Sequence, residues 1–270
     1  MLRTNNVFIK KDNYKRRISI KIFLLTIYCI FIASCSTNSP STDYKALNKS
    51  LLPSVLQDAV TAEANNQYQM ASENYLSLVH YKPESDDFLI GAAKNLRYVG
   101  KTQEAIDLIS SLRKEPYSTP VLIEYGKLNI ANNSIDNALE ALLKALESEP
   151  ENIEVLNALG IAYDVKEDSD KAQDYYNQAL KISPSNIDVL NNLSLSLAKS
   201  NKLDEAINLL EPLVYSSKSS PQLRQNLAML KLFKGQTKEA EELMRQDLNE
   251  KDFQSNKKLY ENLGLYNKKF

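Results

Sequence analysis

An alanine recurs through this chain at a nearly fixed interval, and that interval limits the fold more than any other feature of the sequence. Ala71, Ala105, Ala138, Ala172, Ala206 and Ala240 are separated by 34, 33, 34, 34 and 34 residues. A period of that size marks a stacked repeat: a single pair of helices cannot bury its apolar face alone, so each copy covers the next. Five residues before each alanine stand Asn66, Gly100, Asn133, Glu167, Asn201 and Gly235. Glycine enters the left-handed backbone region freely and asparagine tolerates it, so these positions predict the turn between paired helices, with Glu167 breaking the pattern. Pro83, Pro116, Pro150 and Pro184 close the first four units, because proline lacks the amide donor and clashes with the preceding turn. The last two units have no such proline. Instead Pro212 falls inside the fifth unit's second helix, which is predicted to kink or shorten there, and Ser216 to Ser220 predicts a polar break before Pro221.

Within residues 153–186, Leu159-Gly160, Tyr163, Ala172, Tyr176, Ala179 and Pro184 have spacings that resemble the tetratricopeptide repeat. Tyr125-Gly126, Ala138, Leu142, Ala145 and Pro150 repeat them one unit earlier. Only six glycines and no tryptophan favour helices over turn-rich strands. The expected fold is therefore all-α: a right-handed superhelical solenoid of about six helix pairs (52–85, 86–118, 119–152, 153–186, 187–220 and 221–254). A capping helix is expected in 255–270, where Lys257, Lys258, Lys268 and Lys269 surround Leu259, Tyr260 and Leu263. Gly126, Gly160, Ala145, Ala162 and Ala179 are read as points of close helix approach rather than as parts of a nucleotide loop.

The first 34 residues differ from the rest. They hold seven Lys/Arg and one acid, which leaves 26 bases against 33 acids in the remainder. An acidic body argues against nucleic-acid binding, which draws its affinity from clustered cations. Behind the basic stretch, the uncharged run Ile22 to Ile32 ends in Ala33 and Ser34, the order of a secretory signal peptide. Ile32-Ala33-Ser34-Cys35 resembles a bacterial lipobox. The resemblance implies cleavage before Cys35, which would then carry a covalent lipid as the chain's only attached group. Several acyl chains anchor stably, at about 0.8 kcal/mol per buried methylene. Ser36 in place of aspartate implies the outer membrane, facing the periplasm. Residues 35–51 then read as the lipidated end and a flexible tether.

Enzymatic chemistry is not expected. His80 is the only histidine, and Cys29 would leave with the signal segment, so the mature body lacks a nucleophile with its base and lacks a Cys/His metal set. Glu239, Glu241 and Glu242 read as a solvated helix face, and no metal site is expected. The expected function is binding. In a tetratricopeptide array the fifth residue of each first helix points into a concave groove, which places Asn157, Asn191 and Gln225 in a row able to grip a peptide backbone. Met229, Leu232 and Phe233 are candidates for an apolar pocket beside them.

Asn191-Asn192-Leu193-Ser194-Leu195-Ser196-Leu197-Ala198, Leu203-Asp204-Glu205-Ala206-Ile207, Leu209-Leu210-Glu211-Pro212-Leu213 and Gln222-Leu223-Arg224-Gln225-Asn226-Leu227-Ala228 resemble one family, the tight-adherence (Flp) pilus assembly lipoproteins. The similarity spans roughly residues 119 to 265. It implies an outer-membrane lipoprotein that helps the secretin pore of the pilus machine assemble or stay localised, with the secretin or other pilus components as partner. A general periplasmic scaffold for envelope assembly, or a secretion accessory outside pilus biogenesis, would use the same lipid and groove.

Overall fold

In the computed structural model, residues 49–112, 117–217 and 219–262 are described. The expected signal segment, Cys35, most of the tether, Pro116 and residues 263–270 of the expected cap lie outside them. Among the described residues there are thirteen α-helices, a short 3-10 turn at Lys49–Leu51 and no strand. The helices follow one another in pairs: α1 (Leu52–Ala64) and α2 (Tyr68–Tyr81), α3 (Asp86–Tyr98) and α4 (Thr102–Leu112), α5 (Thr119–Ala131) and α6 (Ile135–Ser148). Next come α7 (Ile153–Val165) and α8 (Ser169–Ile182), α9 (Ile187–Lys199) and α10 (Leu203–Val214), and α11 (Pro221–Lys234) and α12 (Thr237–Arg245). A single helix, α13 (Glu250–Asn262), ends the series. These form a solenoid of the tetratricopeptide type, in two compact units that comprise α1 to α7 and α8 to α13.

The six period-setting alanines are all 0% exposed, so each marks a point where a second helix meets its neighbours with no room for a larger side chain. Gly126 marks another, since a Cβ there would stand 2.6 Å from Cγ of Leu142. Gly91 does the same against the ring of Tyr75, a contact that the repeat spacing gives no sign of. Around these points Leu78, Leu89, Leu96, Ile109, Leu128 and Leu142 fill the first unit, and Tyr176, Leu210 and Leu227 the second.

Every one of the six turn residues has positive φ, from 57° at Asn66 to 84° at Gly235. Glu167 is among them at 65°, although its own preference opposes it. Five of these turns close with the same two bonds. At the first, the amides of Asn66 and Gln67 donate to the carbonyls of Glu63 and Ala62, at 3.0 and 2.8 Å. That pattern satisfies carbonyls that a helix end otherwise leaves open.

The connections between pairs are equally regular. In Lys82-Pro83-Glu84-Ser85, Glu149-Pro150-Glu151-Asn152 and Ser183-Pro184-Ser185-Asn186, the fourth amide donates to the first carbonyl at 3.1 Å. Proline's fixed φ suits the second position of such a turn. The fourth residue then caps the next helix: Asn152 Oδ1 accepts from the amides of Glu154 and Val155, and Asn186 Oδ1 from that of Val189. Pro212 sits inside α10, which stops at Val214 after 12 residues, against 14 in α2, α6 and α8.

The sixth pair departs from the expected boundaries. Its second helix, α12, has only nine residues, and α13 begins at Glu250 rather than near 255. Two local interactions move the break. Arg224 clamps Asp247 in the linker, its Nε donating to Oδ2 at 2.8 Å. Asn249 Oδ1 accepts from the Asp252 amide at 3.0 Å and so starts a new helix.

Candidate functional site

In the first unit the first helices α1, α3, α5 and α7 are joined by successive ion pairs. Lys94 on α3 donates to Glu63 on α1 at 2.5 Å, and Asn95 Nδ2 donates to the other oxygen of Glu63 at 3.1 Å. Arg97 Nε on α3 donates to Glu124 Oε1 on α5 at 2.9 Å. Lys127 on α5 pairs with Glu154 on α7. The residue beside Arg97 is Tyr98, whose ring lies 4.8 Å from the guanidinium and stacks on Tyr68. The fifth positions of α1, α3 and α5 carry Leu56, Ile90 and Ile123, and Leu56 is exposed with Val60 one turn further on.

Burial alone would push the Glu63 carboxyl up, but the hydrogen bonds from Lys94 and Asn95 outweigh it and hold the group below its ordinary value of 4.5. A carboxylate depressed in the folded state contributes stability above its unfolded value and loses it as pH falls through the folded one. Glu63→Gln is therefore expected to lower the melting temperature at pH 7, with the gap to the wild type closing as pH falls below 4.5 and through the lowered folded value. Thermal unfolding of both proteins across pH 7 to 3 checks this, and a pH-independent gap would remove the ion pair from the explanation.

The second unit has a different floor. Asn191 on α9 is 6% exposed, and its Oδ1 accepts from Asn226 Nδ2 on α11 at 2.8 Å. Gln225 stands half-buried on the same helix. Asn157 is half-buried on α7 in the first unit, so of the expected amide row only Asn191 and Gln225 belong to one unit.

The expected apolar pocket is corrected. Met229, Leu232 and Phe233 are 2%, 0% and 3% exposed, and every residue from Leu227 to Phe233 is buried. Because α11 packs against α9, α10 and α12, its apolar side chains are covered on several faces, as expected of a helix that is not left with one solvent side. Even Lys231 is enclosed there, paired with Glu211 at 2.8 Å. These three apolar residues form core rather than a surface for a partner.

Three features escaped the sequence reading: the ion-pair series, the Arg224–Asp247 clamp and the Asn191–Asn226 bond. Arg224 and Asn226 did stand out in the sequence, but only as members of a family-like run, and their partners lie 23 and 35 residues away. His80 is exposed in the last turn of α2. Among the described residues no group of three or more His, Cys, Asp or Glu is placed to hold a metal ion, and no helix is long and apolar enough to cross a membrane.

A model of the tetratricopeptide repeat family matches residues 153–186. Among solved structures, the chain is similar to a thermophilic TPR protein of Thermus thermophilus, at 18% identity and a TM-score of 0.61, over 67% of this chain and 99% of that one. It is also similar to a tetratricopeptide repeat protein from Parabacteroides merdae, at 16% identity and a TM-score of 0.55, over 73% and 78% of the two chains. At these identities the likeness shows the fold. The comparison with curated proteins finds no match.

Proposed function

We propose that this chain is a non-enzymatic lipoprotein of the outer membrane that binds the secretin of a tight-adherence pilus machine and helps it assemble or stay localised. Tetratricopeptide arrays are scaffolds for protein–protein interaction, and the solenoid fold carries that much of the reading. The finer part rests on residues. Ile32-Ala33-Ser34-Cys35 supplies the acylation signal, and the runs 191–198, 203–213 and 222–228 supply the likeness to the pilus lipoproteins. The mechanism is binding: a lipid on Cys35 confines the array to one membrane surface and raises its effective concentration for a partner embedded there, so modest contacts suffice.

The test is a pull-down from cross-linked cells, with the wild type and Cys35→Ser compared by mass spectrometry. Recovery of a secretin by the wild type, with loss in the unlipidated form, is the expected result. Recovery of other envelope-assembly factors alone would replace the pilus role with that of a general periplasmic scaffold. A Cys35→Ser protein that still fractionates with the membrane would remove the lipid anchor.

A further inference from the structure

Helix α1 leaves an apolar flank uncovered. On its buried side Ala59 and Ala62 are 0% and 2% exposed, whereas Leu56 and Val60 are 36% and 47% exposed. Four residues apart on one helix, these two side chains lie one above the other. Leu51, in the 3-10 turn that leads into α1, is 51% exposed. Asp58 stands two residues from each of Leu56 and Val60, about 200° round the helix, and so faces away from them. Glu63 lies nearer the flank, but its carboxylate is engaged by Lys94 and Asn95. The repeat does not carry the flank onward, since the place of Val60 is held by Lys94 in the second helix pair and by Lys127 in the third.

What sets this helix apart from the later ones is how little chain separates it from Cys35. Only residues 36–48 lie between Cys35 and the turn at Lys49, and that length spans at most about 50 Å. An anchor at Cys35 therefore holds α1 beside a bilayer surface at high local concentration, where a contact through few side chains suffices. The flank suits that occupant. A helix at a membrane surface sinks its apolar face into the boundary between headgroups and acyl chains, and any charge carried in with it is costly. Here Asp58 points away and Glu63 is already paired. A second copy of the chain is a poorer match, because three side chains expose far less than the about 800 Å² a side that a specific interface buries. We propose that Leu51, Leu56 and Val60 rest in the interfacial layer of the bilayer that carries the Cys35 lipid, as a second attachment that fixes how the first unit stands on the membrane. The inference rests on the reading of Cys35 as lipidated and adds to it the protein surface that the anchor brings into contact.

The test uses the mature lipidated chain in vesicles of phosphatidylethanolamine and phosphatidylglycerol. On this reading Cys29 is cleaved away and the Cys35 thiol is acylated, so an introduced cysteine is the only free thiol. Val60→Cys and Asp58→Cys are each labelled with a polarity-sensitive nitrobenzoxadiazole dye. The expected result is that the dye at position 60 shifts to the blue and loses more than half its emission to a spin label placed high on the acyl chains. The dye at position 58 is expected to do neither. Leu51→Ser with Leu56→Ser, added to the Val60→Cys protein, should remove most of that quenching while the protein still floats with the vesicles. Both replaced leucines are exposed, so the core is left as it is.

Equal quenching at both positions overturns the proposal. So does a blue shift at position 60 that grows with protein concentration and escapes the lipid quencher, which would assign the flank to a second copy. A blue shift that appears only when solubilised envelope proteins are added would assign it to a protein partner and equally overturns the lipid contact. A chain that floats with the vesicles while the dye at position 60 stays unquenched sinks this inference alone and leaves the anchor standing. A chain that fails to float removes the anchor too, and with it the localisation in the proposed function.

Discussion

Replacing Arg97 with alanine is expected to destabilise the first unit by about 3–5 kcal/mol, far more than a surface ion pair is worth. The reason is the partner left behind. Glu124 on α5 is 3% exposed, and Arg97 is the cation hydrogen-bonded to it. Burial works against the Arg97 charge, but the nearby Glu124 carboxylate and its hydrogen bond outweigh that and hold the guanidinium above its ordinary value. Without Arg97, Glu124 is a buried carboxylate that has lost its hydrogen-bonded counter-charge. Urea unfolding at pH 7 measures the gap. The double variant Arg97→Met with Glu124→Leu removes the stranded charge and should recover most of the loss, because a well-packed apolar pair often equals or exceeds a buried ion pair. A single variant within about 1 kcal/mol of the wild type would mean that water already solvates the pair.

That ion pair also shows where the sequence stopped being informative. A periodic reading aligns equivalent positions, and it worked wherever the physics is the same in every unit: the alanines at the close approaches are all 0% exposed, and the turn positions all have positive φ. Glu167 shows how strong that constraint is, since it takes a φ of 65° although the left-handed region opposes its side chain. The ion pairs of the first unit join residues 31, 27 and 27 apart, off the period, so no alignment of repeats brings them together. They depend on how consecutive first helices are displaced along one another, which is a tertiary quantity. The misreading of Met229, Leu232 and Phe233 has a similar origin. Repeat position alone assigned them to an open face, but α11 has neighbours on several sides and buries seven consecutive residues. The amide pair was half legible: the fifth position gave Asn191, and only the packing of α9 on α11 added Asn226.

The second large effect is expected at the end of the array, where one fully buried side chain anchors α13. Phe253 is 0% exposed and is the only buried residue of that helix among the described residues. Arg245 stacks over its ring at 3.8 Å, pairs with Glu250 at 2.6 Å, and Lys257 reaches Glu241 at 3.0 Å. The ion pairs are partly exposed and are worth about 0–1 kcal/mol each. Truncating a fully buried phenylalanine costs about 3–5 kcal/mol, so the contacts that remain in Phe253→Ala are too weak to keep α13 docked. A 13-residue helix is marginal by itself in water, and once undocked it should also unfold. The expected outcome is a drop in far-ultraviolet helicity of the size of α13, rapid tryptic cleavage at Lys251, Lys257 and Lys258, and lost protection of amides in α12, which α13 covers. Phe253→Leu keeps most of the buried area and should cost less than about 1.5 kcal/mol with little change in cleavage. If Phe253→Ala instead leaves tryptic cleavage slow and helicity unchanged, the cap is held by its surface pairs. Truncation at residue 249 would then destabilise the second unit no more than removal of those pairs does.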